Sequence, residues 1–318
     1  MAHPHRTKIL IDCDPGHDDA VAILYAARHL DLVGVSTTHG NNTIANVTRN
    51  AGSVLALGGI DVALAMGSAE PLVGGPLKGA EAHGSTGLDG AVLPAPARAP
   101  VDAHAVEFLI ETARVHQGEL VLAVIGPATN VALAIEKEPR FAGWLREITV
   151  MGGSAGRGNI GAVVEYNVWC DPEAAAVLFG CGAPLRMVGY DITSVTGTNA
   201  ADVSRLRSGG RVARTIGNLL AFYLARQEEF FGLDIAPLHD VCAIVPYVMP
   251  ELLEYRHCHV DVELAGKLTR GMTVCDFRTL TDAGMELRGG KAPNAYVAVG
   301  VQARALVDHV IQTLLEYS

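Results

Sequence analysis

Short apolar runs rich in Val, Ile and Leu alternate along the chain with longer, Ala-rich stretches of helical period. A short run without polar alternation fits a strand buried on both faces, and the longer stretches fit helices packed against it. This rhythm predicts βαβ units. Strands are expected at 8–12, 32–38, 62–66, 120–125, 147–151 and 185–188. Helices are expected at 18–29, 43–57, 103–116, 128–136, 172–179, 212–230 and 241–248. The segment AVAILYAAR in the first helix is apolar almost all round, so it needs neighbours on more than one side. The fold class that follows is α/β, an open and mostly parallel central sheet with helices on both faces.

Near 264–278 the pattern changes: ELAGKLTRGMTVCDFR reads as a small hairpin excursion of short strands and glycines. A last strand at 294–301 and a closing helix at 303–317 follow. PAPARAP, at 94–100, is a stiff loop too short to divide domains, and no repeat or low-complexity linker stands out. One continuous domain, 1–318, is expected.

Composition narrows the function. A chain of 318 residues, 49% of them hydrophobic, can bury a sufficient core without disulfides or a structural metal. Acidic residues outnumber basic ones 34 to 24, a net charge of −10, which argues against a nucleic-acid partner. The six scattered cysteines form no C-x-x-C pair and read as thiols in a reducing compartment. The N-terminus carries no apolar signal core, and Asp61 interrupts the best candidate for a membrane span. A cytoplasmic protein with no membrane partner is expected.

The strongest chemical signal is ILIDCDPGHDDAVAILYAAR. Asp12, Asp14, Asp18 and Asp19 crowd where the first strand ends and the first helix begins, with Pro15-Gly16 making the turn. Helix capping accounts for one or two of them. It does not account for Asp14 at the strand end. So many carboxylates repel one another unless a cation or hydrogen-bond donors hold them. Carboxylates without thiols or a histidine cluster favour Ca²⁺ or Mg²⁺ over Zn²⁺.

In a parallel sheet the loops after the other strands converge on the same edge. They bring His39, Asn41 and Asn42 from THGNN, and Thr129 and Asn130 from ATN. Met151, Asn159, Glu165 and Asn167 come from MGGSAGRGNIGAVVEYNVWCDP, and His239 and Asp240 from APLHDVCA. Tyr223, Gln227 and Phe231 share one helical face at i, i+4 and i+8. Each element alone is weak, since a single Asn after a strand is usually a turn residue.

Taken together these segments resemble the inosine-uridine-preferring nucleoside hydrolase family. DCDPGHDDA matches the family's opening D-x-D-P-G-x-D-D-A in full. GNNTIANVTRNA, HGSTGL, GPATNVALA, VMGG, GNIGAVVEYNVWCDPEAA, PLHDVCA and GKLTRGMTVCDFR continue it in order over nearly the whole chain. The resemblance implies hydrolysis of the N-glycosidic bond of ribonucleosides to ribose and free base, in nucleoside salvage, with Ca²⁺ as cofactor. Asp14 would bind Ca²⁺ and take a proton from the attacking water. Asp19, the backbone carbonyl of Thr129 and Asp240 would complete the protein ligands. Asp18, Asn159, Glu165 and Asn167 would hold ribose hydroxyls. Asn41 would steady the water, Met151 would line the sugar pocket, and Asp12 would support the site from behind. His239 would face the base and help it leave, with His83, Gln227 and Phe231 around the base. Phe231 and Ser85 depart from the family's pattern of polar groups near the base, which leaves purine or pyrimidine preference open. The resemblance also implies a homo-oligomer, a dimer or tetramer.

Two other readings compete. A haloacid-dehalogenase-type phosphatase also opens with D-x-D after a strand, but it expects a lysine and a later acidic pair, and none of the lysines here has a matching context. A calcium-dependent nucleoside or sugar binding protein would need neither base nor acid, so Asp14 and His239 together speak against it.

Overall fold

The computed structural model describes residues 6–75 and 81–317. The strands are β1 (Lys8–Cys13), β2 (Asp31–Thr37), β3 (Ala63–Met66), β4 (Leu120–Val124), β5 (Glu147–Met151), β6 (Leu185–Val188), β7 (Gly197–Thr198), β8 (Ala236–Pro237), β9 (Leu253–Val262), β10 (Thr273–Asp276) and β11 (Ala295–Val301). Nine of them form one sheet in the order β10-β9-β11-β6-β5-β4-β1-β2-β3, and β7 and β8 form a separate two-stranded antiparallel ribbon. From β3 to β6, and on to β11, every pairing is parallel; β9 and then β10 close that edge antiparallel.

Period-two side-chain alternation splits each central strand between two cores. Ile9, Ile11 and Cys13 of β1, with Val121 and Ala123 of β4, face the core that contains the helices His17–His29, Arg211–Phe231 and Ala303–Leu315. Leu10, Leu120, Leu122 and Val124 face the other, shared with the helices Ala105–Val115, Thr129–Lys137 and Pro172–Phe179. Because both faces are covered, these strands carry the continuous apolar runs that marked them in the sequence. Residues 17–26 of the first helix are all buried, as its apolar circumference requires.

Two expectations change. The helix expected at 241–248 is instead a pair of 3₁₀ turns, Asp240–Ala243 and Val245–Tyr247. Pro246 lacks the N–H that an α-helix would need there. The hairpin near 264–278 is the turn between β9 and β10, and β9 itself, ten residues long, was not anticipated. Its buried positions do not alternate regularly along the strand. Among the described residues no helix is long and apolar enough to cross a membrane.

Leu122 is fully buried at the centre of β4. Leu122→Ala is expected to destabilise the protein by about 2–5 kcal/mol in denaturant unfolding, the range for a buried Leu truncation. A loss too small to detect would place this strand outside the core.

Candidate active site

The order 3-2-1-4-5-6 within the sheet reverses direction between β1 and β4. Open α/β sheets bind ligands at that switch point, beyond the carboxyl ends of the strands. Asp14 leaves β1 there, and the chain turns through Pro15 and Gly16 into the helix His17–His29. Asp19 closes the turn: its carboxylate accepts the Gly16 amide at 2.8 Å and the Asp14 amide at 3.3 Å. The capping role considered from sequence is thus real, and Asp19 combines it with a place in the acidic cluster.

Carboxylate oxygens of Asp18, Asp19 and Asp240 lie within 4.8 Å of one another. Asp240 arrives from the far side of the sequence, in the 3₁₀ turn that follows His239. Asp14 is not one of that trio. Asn41 joins it to them: its backbone amide donates to Asp14 Oδ2 at 2.7 Å, and its side-chain Nδ2 donates to the Asp14 carbonyl at 3.1 Å and to Asp19 Oδ2 at 3.5 Å. Two glycines make room for Asp14. A Cβ on Gly40, which has φ 147°, would stand 2.0 Å from Asp14 Oδ2, and one on Gly126 would stand 2.7 Å from Oδ1.

All four carboxylates are buried. Burial, then mutual repulsion, pushes Asp18 up to about 8 and holds Asp14 and Asp240 well above the usual carboxylate range. Burial pushes Asp19 to about 6, less far because amide N–H groups stabilise its charge. A thiol-free set of buried oxygens under this repulsion suits a hard divalent cation, and the cluster could hold one.

Above the carboxylates opens a cavity of about 390 Å³ lined by Asp14, Asp18, Asn41 and Asp240 at one end. Met151, Asn159, Glu165 and Asn167 line it as well. Glu165 caps the helix Tyr166–Cys170 and accepts the amides of Gly153, Asn167 and Val168 at 2.8, 3.0 and 3.2 Å. Burial nevertheless raises its carboxyl to about 7. Asn167 Nδ2 donates to the carbonyls of Ile125 and Met151 at 3.2 and 3.0 Å, so its Oδ1 is the end left to accept from a ligand hydroxyl.

His83, Tyr223, Gln227, Phe231 and His239 line the same cavity. All three positions of the expected helical face are thus at the cavity. Tyr223 and Gln227 are buried, whereas Phe231 is 55% exposed at the rim. His239 Nδ1 lies 2.7 Å from Thr193 Oγ1, so Nε2 is the ring nitrogen left for a ligand. Burial lowers this imidazole to about 4, and it is neutral at pH 7. Ser85 donates to Asp89 Oδ2 from its amide at 2.8 Å and from its hydroxyl at 3.1 Å.

The structure does not bring Thr129 to the cavity. Gly126, Pro127 and Ala128 carry the chain away from the strand end, and Thr129 begins the next helix. Its hydroxyl donates to Asp171 at 2.7 Å and meets His39 Nε2 at 2.8 Å. Ile125 lies in the cavity instead, its carbonyl beside Asn167. A main-chain oxygen has no residue-type signature, so the sequence offered no pointer to it. Asp12 lies behind the site, accepting from Ser36 Oγ at 2.6 Å and from Asn130 Nδ2 at 2.9 Å. Asn130 also donates to the Thr37 carbonyl and accepts the Ser68 amide, both at 2.9 Å, and so ties together the ends of β1 and β2 and the loop after β3. Tyr166, Trp169, Tyr190 and Phe230 line the cavity too and were not anticipated; aromatic residues beside a strand end look the same in sequence as core residues.

The sequence model described as "Inosine-uridine preferring nucleoside hydrolase" matches residues 9–308. The chain belongs to this family. It is a ribonucleoside hydrolase, acting on N-glycosyl compounds. Among curated relatives, the "Pyrimidine-specific ribonucleoside hydrolase RihA" of Escherichia coli O127:H6 is 38% identical over 315 residues, covering 98% of this chain and 99% of the relative. Its namesake in Citrobacter koseri is also 38% identical, over 98% of each chain. Among solved structures, a plant nucleoside hydrolase superposes with a TM-score of 0.88 at 30% identity, over 98% of this chain and 100% of that one. The "Purine-Preferring Ribonucleoside Hydrolase from Gardnerella vaginalis" gives 0.89 at 29% identity, over 96% and 98%.

The acidic cluster sets a pH signature for metal-stripped protein. Asp18 and Glu165 hold protons in the folded state up to about 8 and about 7, and burial raises Asp14 and Asp240 in the same direction, whereas unfolded carboxyls are ionised by then. Stability from those protons is lost as pH rises. Buried His17 and His239, both lowered to about 4, act in the opposite sense, but only below their unfolded value of 6.5. In chelator the thermal midpoint is therefore expected to fall between pH 6.5 and 8, and Ca²⁺ is expected to flatten that slope. A midpoint that rises across the window in chelator would contradict the repulsion.

Proposed function

We propose that this chain hydrolyses pyrimidine ribonucleosides to ribose and free base, using Ca²⁺ and Asp14 as the general base. The observation that carries this reading is the convergence of Asp14, Asp18, Asp19 and Asp240 at one end of a cavity whose walls carry His83 and His239. Pyrimidine preference rests on the relatives named pyrimidine-specific, which match over almost their full length.

The donor set fits calcium, with Asp14, Asp19, Asp240 and the carbonyl of Ile125 as the protein oxygens that would hold it. When bound, the ion would offset the crowded negative charge and lower the pKa of water at the site. Asp18, which lines the cavity, is assigned to a ribose hydroxyl.

Asp14 lines the cavity beside Asn41, where it would meet a water held at the site, and with the ion bound its carboxylate would be free to accept the proton. Asn41 holds one of its oxygens, which fixes the carboxylate's orientation. As water attacks C1′, positive charge grows on the sugar, and the buried carboxylates stabilise it. Asn159, Glu165 and Asn167 position the ribose. A site built around hydroxyls disfavours a deoxy-sugar, because its polar groups are then left unpaired. His239 is neutral and so assists the base by hydrogen bonding, not as a standing cationic acid. Phe231 has no proton to give. We place the reaction in nucleoside salvage in the cytoplasm, carried out by a homo-oligomer with one catalytic domain per chain.

Free sugar released from uridine, cytidine, inosine and 2′-deoxyuridine, with and without chelator, tests the reading. Uridine and cytidine are expected to be cleaved, the deoxynucleoside poorly, and chelator is expected to stop turnover until Ca²⁺ is restored. Full activity in excess chelator would remove the metal, and binding without turnover would favour a carrier. Asp14→Ala is expected to lower kcat by about 10²–10⁴, the span for a general base. His239→Ala is expected to slow uridine more than nitrophenyl riboside, whose leaving group needs no help. Equal losses on both would mean that His239 does not assist departure.

A further inference from the structure

A single helical turn, Tyr190–Thr193, follows β6. Its first and last residues stand at i and i+3, on one side of the turn. Thr193 Oγ1 lies 2.7 Å from His239 Nδ1. Tyr190 lines the cavity, and its ring stands 5.9 Å from the His239 ring, tilted by 30°. The Tyr190 amide donates to the Gly153 carbonyl at 2.8 Å, which ties the turn to the segment after β5. Arg157, from that segment, lies over the Tyr190 ring with its Cζ 5.5 Å from the centroid. The guanidinium is held there by a bond to Ser194 Oγ at 2.9 Å.

A pyrimidine leaves C1′ with the bonding electron pair and needs a proton. The groups expected around the base supply none readily. His239 is neutral at pH 7, Phe231 has no hydroxyl, and the Gln227 amide keeps its hydrogens. Three tyrosines line the cavity. Tyr166 donates its hydroxyl to the Gly40 carbonyl at 3.0 Å. Tyr223 is 3% exposed, and burial holds its proton well above the usual phenol range. Tyr190 is half-buried, and its hydroxyl has no hydrogen-bond partner among the described residues. A cation over its ring offsets the negative charge left there once the proton is given. A free hydroxyl at the cavity with that support suits a general acid.

We infer that Tyr190 is the general acid that protonates the leaving base. The inference rests on the hydrolase reading above and adds a catalytic residue to it. Water bonds through its oxygen to C1′ and gives one proton to Asp14. The bond from C1′ to the base nitrogen breaks, its electron pair stays with the base, and the base takes the Tyr190 hydroxyl proton. Asp14 then releases a proton to solvent, and the Tyr190 oxygen recovers one from solvent, so the count closes. His239, fixed by Thr193 on the same turn, is left to orient the base by hydrogen bonding.

The dependence of rate on the leaving group tests this. Uridine, 5-fluorouridine and nitrophenyl riboside are compared in full-length wild type and Tyr190→Phe, both supplied with Ca²⁺. Tyr190→Phe keeps the ring and removes only the oxygen, so a packing role would slow all three substrates alike. A general acid predicts the largest loss for uridine, less for 5-fluorouridine and least for nitrophenyl riboside. The kcat/KM ratio of uridine to nitrophenyl riboside is expected to fall by about 30-fold or more. Arg157→Met is expected to lower the same ratio by about 3-fold. An unchanged ratio in Tyr190→Phe would overturn the inference. Should that variant fail to fold, Arg157→Met decides: a fall supports the acid and an unchanged ratio overturns it. If the wild type cleaves no nucleoside, the hydrolase reading fails and the inference with it. If the wild type cleaves uridine and the variant keeps its ratio, the inference alone fails.

Discussion

Mutual repulsion among buried carboxylates is the constraint to which the rest of this structure answers. Asp14, Asp18, Asp19 and Asp240 are each nearly or wholly out of water, and amide donors reach only some of their oxygens. Left alone they retain protons well above the ordinary carboxylate range. Such an arrangement lowers stability in isolation and makes physical sense as a ready binding site for a hard cation. The surrounding framework is correspondingly tight. Asn41 spans Asp14 and Asp19, and Gly40 and Gly126 leave room for the Asp14 carboxylate.

The sheet delivers these groups from distant parts of the chain. β1 contributes the aspartate cluster, β2 is followed by Asn41, β4 ends at Ile125, and β5 leads into the segment that carries Glu165 and Asn167. Asp240 returns from beyond the long helix Arg211–Phe231, in a 3₁₀ turn that the Pro246 break keeps from becoming a helix. Behind the front line, Asp12, Asn130 and the Thr129–Asp171–His39 set fasten the strand ends to one another. Their hydrogen bonds are internal, so their contribution is to hold geometry.

Much of this was legible in the sequence, for reasons that can be named. β4 and β5 lie between two helical layers, so their apolar runs announced both their position and their parallel setting. The D-x-D-P-G-x-D-D-A segment concentrates charge where a strand meets a helix, and no core position tolerates that without purpose. What escaped lacked a local signature. β9 is only partly covered, and its polar positions obscure the strand pattern. Thr129 was expected to offer its backbone carbonyl, whereas the residue of that segment that lines the cavity is the apolar Ile125. His17 occupies the variable position of the motif, and its partners, His83 and Asp89, lie 66 and 72 residues away. Only the folded loop shows that the two imidazoles meet.

A crystal structure grown with calcium and a non-hydrolysable riboside measures the core of this picture most directly. One ion is expected between the carboxylates of Asp14, Asp19 and Asp240 and the carbonyl of Ile125, with the ribose hydroxyls beside Asp18. An ion bound elsewhere, or a riboside seated in the cavity with those carboxylates turned apart and no ion among them, would contradict it.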